Sequence, residues 1–163
     1  HRPFYIRRAR PSGQESRGAG AKGNHAMHTM SGAHPLAAAA REWLAALQRC
    51  VRAVDYPGAR HLFAPEVQGF GTHAAIVGGL EALEREQWTQ IWPGIREFTF
   101  RLGEVRCAGS EELLGVIVPW DSLGVNPDGS SFPRPGRATL ILARREGRWV
   151  AIHSHFSLAP LGR

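Results

Sequence analysis

Two histidines separated by one residue stand near the end of the chain, in a segment rich in strand-forming residues. Residues 147–157 alternate with a period of two, which predicts a strand that carries both imidazoles on one face. The members predicted for that face are Trp149, Ala151, His153, His155 and Ser157. Imidazole titrates near neutral pH, so His153 or His155 could serve as a general base or as an oriented donor. The alternative is a structural role, in which both rings bond to neighbouring residues or to a second subunit.

An aspartate follows a tryptophan at the predicted end of the central strand, where a barrel would open. A carboxylate beside the indole of Trp120 can have a raised pKa and exchange protons with a ligand, so Asp121 is the third catalytic candidate. The alternative is that Asp121 accepts hydrogen bonds from backbone groups of the following loop. No metal site is predicted, because the histidine pair would need a third ligand and no metal-binding spacing supplies one.

Four further residues are candidates for contact with a ligand. Trp88 and Trp120 could form apolar walls for a flat molecule. Arg137 could clamp an anionic group, with Arg134 as a second possible contact, and His73 lies in a glycine-rich segment suited to a gate. The alternatives are core packing for the tryptophans, an ion pair for Arg137 and an exposed loop position for His73.

The positive charge of the chain is concentrated in its first 34 residues. Six of the 20 Lys and Arg residues but only one of the 14 acidic residues lie there, so this segment holds most of the net charge of +6. Residues 1–34 are predicted to be a disordered basic tail or a non-native extension, and residues 35–163 a single domain. The domain lacks a basic stripe with interleaved aromatic residues, so nucleic acid is not expected as its partner.

The cysteines and the apolar segments suggest where the protein resides. Cys50 and Cys107 are isolated, which predicts neither a disulfide framework nor a zinc site and fits a reduced compartment. The longest apolar stretches are too short to cross a membrane, and residues 1–34 lack the apolar core of a secretory signal. We therefore expect a cytoplasmic protein without a membrane partner.

Helices precede most of the strands in the predicted order of elements. Apolar residues recur at three and four in residues 35–54 and 80–92, which predicts two amphipathic helices, and Asp55 could cap a short helix over residues 56–64. A long linker rich in glycine, proline, asparagine and aspartate is predicted over residues 122–135, consistent with a hairpin or a lid loop. Strands are predicted over residues 66–70, 95–107, 113–120, 137–145 and 147–157. Helices gathered at one end of an antiparallel meander predict an α+β fold with one sheet wrapped over them.

This order and several local strings resemble the nuclear transport factor 2-like superfamily, which includes ketosteroid isomerases, SnoaL-like polyketide cyclases and the association domain of calcium/calmodulin-dependent kinase II. The similar strings are RREGRW and IHSHFS near the end of the chain, DYPGARHLFA at residues 55–64 and GLEAL at residues 79–83. The resemblance implies a cone-shaped α+β fold with a curved antiparallel sheet wrapped over N-terminal helices. It also implies an apolar cavity and a homodimer formed through the outer face of the sheet.

The same resemblance implies a hydrophobic pocket for a small apolar or aromatic ligand. The chemistry would be cofactor-free acid–base work, such as isomerisation, cyclisation or hydration of an apolar carbonyl compound, with Asp121 or His153 as proton shuttle and His155 as orienting donor. The ketosteroid isomerase pattern is incomplete. Its catalytic base would fall near residues 70–71, where no Asp or Glu stands, and its tyrosine would fall near Leu47, which has no hydrogen-bond donor in its side chain. The alternative is a noncatalytic oligomerisation or accessory domain similar to the kinase association domain.

Overall fold

A long amphipathic helix opens the computed structural model, which describes residues 34–72 and 75–160. Helix α1 spans Pro35–Ala53, and the side chain of His34 accepts a hydrogen bond from the backbone N–H of Leu36. The helix ends at Val54 in the left-handed conformation. Its buried face consists of Ala37, Ala40, Trp43, Leu44, Leu47 and Val51. The helix predicted over residues 35–54 is confirmed, whereas residues 1–33 of the predicted tail lie outside the described residues.

Two further helical segments complete the helical layer. Helix α2 spans Tyr56–Arg60, and the carboxylate of Asp55 caps it by accepting the N–H of Gly58 at 2.9 Å. The helix predicted over residues 80–92 is present but is not uniform. We call residues 80–91 the third helical stretch, which consists of α3 (Leu80–Leu83), a π-helical turn (Glu84–Trp88) and α4 (Thr89–Ile91). In a π turn hydrogen bonds join residues five apart, which changes the direction in which the following side chains point.

Within the described residues, eight strands form one curved sheet that does not close. The strands are β1 (Phe63–Phe70), β2 (Val77–Gly78), β3 (Ile95–Phe100), β4 (Arg106–Gly109), β5 (Leu113–Val125), β6 (Ser131–Pro133), β7 (Gly136–Arg145) and β8 (Arg148–Leu158). Their order is β2-β1-β8-β7-β5-β3, and β4 and β6 also pair with β5. Strand β1 runs parallel to β8, and the other pairs are antiparallel.

Strand β5 extends well beyond its predicted end. It continues to Val125 and forms a hairpin with β6, so of the two alternatives predicted for residues 122–135 the structure shows the hairpin. The asparagine, proline, aspartate and glycine of residues 126–129 lie in the tight turn of this hairpin. Trp120 consequently lies inside the strand rather than at its end.

A proline inside β5 faces the interval between β3 and β4. The register of β3 ends with Phe100 opposite Trp120, and that of β4 begins with Arg106 opposite Ile117. Pro119 has no N–H to donate, and its carbonyl accepts the backbone N–H of Arg101 at 2.9 Å. Among the described residues, no strand pairs with this edge of β5 between the two registers, so the missing N–H of Pro119 costs no ladder hydrogen bond there. The single strand predicted over residues 95–107 is therefore two strands.

A bulge in β8 changes the direction in which the two histidines point. The register with β7 passes from His153 opposite Ile141 to Ala151 opposite Leu142, so Ile152 is the extra residue. Because opposite residues share a face of the sheet, Ala151 lies on the core side with Leu142, whereas His153 lies on the outer side with Ile141. The single face predicted for the whole strand is therefore wrong.

The helices pack against the concave side of the sheet and form one core with it. Alternate residues of β5 and β7 point into this core and are almost fully buried: Leu114, Val116, Val118, Trp120, Ala138, Leu140 and Leu142. The opposite side of β5 carries apolar residues that are about half exposed, Leu113 and Ile117.

Across the described residues, no helix is both long and apolar enough to cross a membrane. The mixed α+β architecture agrees with the predicted fold class.

Candidate functional site

A small cavity lies in the core, between helix α1, the third helical stretch and the concave side of the sheet. Its volume is about 50 Å³, enough for a few water molecules or one small functional group but below the ~300–1,000 Å³ of pockets that hold larger ligands. Much of its wall consists of six aromatic side chains: Phe63, Trp88, Trp92, Phe98, Trp120 and Phe156. The polar side chains among its described lining residues are Thr72, Gln87 and Arg134, beside the indole N–H groups of Trp88, Trp92 and Trp120.

Stacked tryptophans on the third helical stretch and the turn after it form one wall of the cavity. The rings of Trp88 and Trp92 lie 4.9 Å apart at an interplanar angle of 16°, and Tyr56 stacks on the outer side of Trp92 at 5.5 Å. Phe63 of β1 contacts Trp88 at 5.0 Å between ring centroids. This wall is a preorganised aromatic surface against which a flat apolar molecule could pack.

Trp120 forms the opposite wall and is fixed by a glycine. Its partner across the sheet is Gly136, where a Cβ atom would lie 2.1 Å from Cζ2 of the indole, so the ring rests directly on the backbone of β7. Phe98 packs against the same indole at 5.5 Å. The indole Nε1 atom is buried and has no hydrogen-bond partner among the described residues.

Gln87 brings an amide to the same cavity. It belongs to the π-helical turn, is 5% exposed and is adjacent to the equally buried Trp88. Its Nε2 atom has no hydrogen-bond partner within the described part of the chain. Gly71, which follows β1, leaves room for this amide, because a Cβ atom there would lie 2.4 Å from Nε2.

Arg134 supplies the positive charge of the cavity. Its guanidinium carbon lies 5.5 Å from the centre of the Trp120 ring, and its Nη2 atom donates to the hydroxyl of Thr72 at 3.1 Å. Its backbone is held by two hydrogen bonds with Ser122. Burial lowers the pKa of the guanidinium, and no carboxylate among the described residues lies within ion-pair distance of Arg134.

We call Gln87, Trp120 and Arg134 the polar corner of the cavity, and its chemistry is mainly donation. An indole and a guanidinium can only donate hydrogen bonds, and the unpaired atom of the glutamine is also a donor. The described lining residues include neither a carboxylate nor an imidazole. The corner can therefore stabilise an oxygen that carries negative charge, but no lining residue of the described set could remove a proton at neutral pH.

The two histidines of β8 lie together on the outer side of the sheet, away from the cavity. His153 Nδ1 is 3.0 Å from the carbonyl oxygen of Gln68, and since a carbonyl only accepts, this nitrogen carries the proton. Phe70 packs against both imidazoles, with ring centroids 5.3 Å apart for His153 and 4.2 Å apart for His155. Burial lowers the pKa of His155, and the positive charges of His153 and Arg137 lower it further.

Asp121 and Arg137 also lie outside the cavity. Asp121 faces the opposite way from Trp120 because neighbours in a strand alternate, and Arg101 holds it with two hydrogen bonds of 2.7 and 2.8 Å. Those hydrogen bonds lower the pKa of the Asp121 carboxyl, whereas the hypothesis of a proton shuttle requires a raised one. Arg137 is exposed, and its Nε donates to the hydroxyl of Ser157 at 3.3 Å.

Of the residues predicted to contact a ligand, Trp88 and Trp120 both line the cavity, whereas Arg137 does not. His73 lies outside the described residues. Within the described ranges, no group of three or more His, Cys, Asp or Glu side chains could hold a metal ion. Gln87 was not among the predicted site residues, since the polar run around it resembles a solvent-facing helix surface, and Arg134 was predicted only as a second possible anion contact.

A comparison with protein families identifies the domain. The family model of the SnoaL-like domain matches residues 37–161, which is most of the chain. The chain belongs to the SnoaL-like family. No curated protein matches the sequence of this SnoaL-like protein.

Solved structures confirm the fold of this SnoaL-like protein. A nuclear transport factor 2-like superfamily protein from Salmonella enterica serovar Typhimurium matches with a TM-score of 0.66 and 17% identity, over 78% of this chain and 94% of its own. A ketosteroid isomerase-like protein from Erwinia carotovora matches with a TM-score of 0.65 and 14% identity, over 78% of this chain and 98% of its own. A candidate dehydratase from Streptomyces avermitilis matches with a TM-score of 0.65 and 15% identity, over 76% of this chain and 96% of its own. Identities this low establish the fold alone, because one fold hosts many functions.

Proposed function

We propose that this SnoaL-like protein binds a small, largely aromatic or apolar molecule in the cavity between its helices and its sheet. The observation that carries the proposal is that six aromatic side chains and the two residues with unpaired buried donors line one cavity. Apolar walls with a few convergent polar groups are typical of ligand sites. A ligand larger than the present 50 Å³ would have to separate the side chains that now close the cavity.

Acid–base turnover of a carbonyl compound by an isomerase, cyclase or hydratase remains the finer form of this proposal. The polar corner suits the first half of such chemistry, because hydrogen bonds donated to a carbonyl oxygen stabilise an enolate. A proton shuttle is the missing half, since Asp121, His153 and His155 do not line the cavity and no described lining residue replaces them. We therefore propose binding as the primary function and assign no catalytic base.

A matched pair of tryptophan substitutions tests the location of the ligand. Ile91 lines the cavity, whereas Ile141 is similarly half-buried but lies on the outer side of β7. Ile91→Trp should fill the cavity and weaken binding of a small aromatic ketone by about tenfold or more, which corresponds to ~1.4 kcal/mol. Ile141→Trp should leave the affinity unchanged. Calorimetry or a ligand-induced shift in Tm measures both, and equal binding by the two variants would contradict the proposal.

A homodimer formed through the outer side of the sheet is a second proposal, and it is compatible with the binding function as well as with the noncatalytic alternative. Leu113 and Ile117 of β5 are 49% and 54% exposed on that side, and Ile117 lies opposite Thr139 of β7. A second copy of the chain would cover both apolar residues. Ile117→Asp should convert the dimer to a monomer in sedimentation experiments, whereas Leu158→Asp, at the end of β8, should not. A monomeric parent protein would refute the dimer.

A further inference from the structure

We propose that the polar corner of the cavity is a carboxylate-binding subsite, so that the preferred ligand is a small organic acid with an aromatic or apolar body. This inference rests on the proposed binding function and adds the chemical class of the ligand. Three side chains form the subsite: Arg134, Gln87 and Trp120.

The unpaired donors are the first argument. Buried polar atoms are almost always hydrogen-bonded in folded proteins, because an orphaned donor costs about 1–3 kcal/mol. Only two buried side-chain nitrogen or oxygen atoms of the described residues lack a partner, and both belong to this one cavity, Nε2 of Gln87 and Nε1 of Trp120. Two such costs at one place indicate an acceptor that the protein itself does not supply.

The charge of the corner is the second argument. Arg134 is half-buried against the Trp120 ring, and its partner in the described residues is the neutral hydroxyl of Thr72 rather than a carboxylate. A guanidinium keeps its charge in proteins, and its planar fork of donors matches the two oxygens of a carboxylate. A half-buried positive charge with no counter-ion among the described residues favours an anionic ligand over a neutral carbonyl.

The shape of the cavity is the third argument. Its volume of about 50 Å³ is suited to a carboxylate-sized group at the polar corner, and water molecules would occupy this space in the free protein. The carboxylate oxygens would take the places of those waters, and the aromatic wall of Trp88 would contact the body of the ligand. The described lining offers no anionic acceptor for an amine or another cationic ligand, so ligands of that class should bind weakly.

A pair of isosteric ligands separates charge recognition from apolar binding. Phenylacetate and phenylacetamide differ in the anionic oxygen, and calorimetry on the full chain measures both. Phenylacetate should bind the parent protein about tenfold or more tightly than phenylacetamide, as expected for charge-assisted hydrogen bonds. Arg134→Met should abolish this preference and retain amide binding, and Arg148→Met, which removes an exposed arginine at the start of β8, should leave the preference intact.

The indole of Trp120 provides a readout that a change in stability would not mimic. The chain has five tryptophans, and in an NMR spectrum of the nitrogen-labelled protein the indole signal that is missing in Trp120→Phe belongs to Trp120. Phenylacetate should shift this signal downfield, because the unpaired N–H then donates to an anion, and phenylacetamide should shift it less.

The outcomes distinguish this inference from the proposed function. Equal affinity for acid and amide in the parent protein, or an unchanged preference in Arg134→Met, would overturn the carboxylate subsite while leaving the aromatic pocket in place. If neither molecule bound at concentrations up to their solubility, the proposed function would fail and the subsite with it. A preference for the acid that Arg134→Met removes, together with a shifted Trp120 signal, would support the inference.

Discussion

Replacement of Gln87 by methionine should make the ligand-free protein more stable. The Nε2 atom of Gln87 is buried without a partner among the described residues, and such an atom costs about 1–3 kcal/mol relative to its hydrated state. Methionine has a similar length and volume and brings no donor, so the packing changes little. Because water in the cavity recovers part of the cost, we expect the free energy of unfolding to rise by about 1 kcal/mol, or about 3 °C in Tm.

Gln48 provides a matched control with the opposite expected sign. Its Oε1 atom accepts the backbone N–H of Phe100 at 2.7 Å, so Gln48→Met leaves that donor unpaired and should lower the free energy of unfolding by ~1–2 kcal/mol. Urea unfolding, followed by tryptophan fluorescence and circular dichroism, measures both variants. If Gln87→Met destabilised the protein as much as Gln48→Met, the amide of Gln87 would already be satisfied, and the reasoning about the polar corner would be refuted.

Three further predictions concern the packing and the titrating groups. Gly136→Ala places a Cβ atom against the Trp120 indole and should cost about 1–3 kcal/mol in a thermal melt; an unchanged Tm would argue against the contact. Because burial lowers the pKa of His155 in the folded protein, its NMR titration should have a midpoint below about 6.5, and His155→Gln should reduce the loss of stability as pH falls through that midpoint. Hydrogen bonds from Arg101 lower the pKa of Asp121, so the stability they provide is present above the unfolded-state pKa of ~3.9 and is lost below it. Asp121→Asn should weaken this dependence of stability on acid pH. Identical acid unfolding curves for the parent protein and the variant would count against the ion pair.

The helices and the long strands could be predicted because their signals are local and periodic. The apolar spacing of residues 35–54 and the alternation of residues 137–145 each describe one face of one element, and the structure contains both elements as α1 and β7. The segment of residues 122–135 was harder, because its turn-forming residues outnumber its strand-forming ones. Pairing with the end of β5 across the turn over residues 126–130 makes the short strand β6 favourable, whereas the strand propensity of its own three residues is low.

The candidate site was less predictable, since two local irregularities determine it. The π-helical turn buries Gln87 in a run of charged and polar residues that otherwise resembles a solvated surface. The bulge at Ile152 turns the histidine pair to the outer side of the sheet. Strict periods of 3.6 and 2 cannot express an inserted residue, so the alternation placed Ala151 and the two histidines on one face, whereas the bulge puts them on opposite sides of the sheet.

The bulge at Ile152 also limits what a shared motif can reveal about relatives of this protein. In a strand without the extra residue, the same IHSHFS string would direct both imidazoles toward the helices and place Ser154 and Phe156 on the opposite side. Two family members could thus be identical across these six positions and differ in whether a titratable ring reaches the interior. Transfer of a catalytic role between them requires the strand register at Ala151 and Leu142 as well as the letters of the motif.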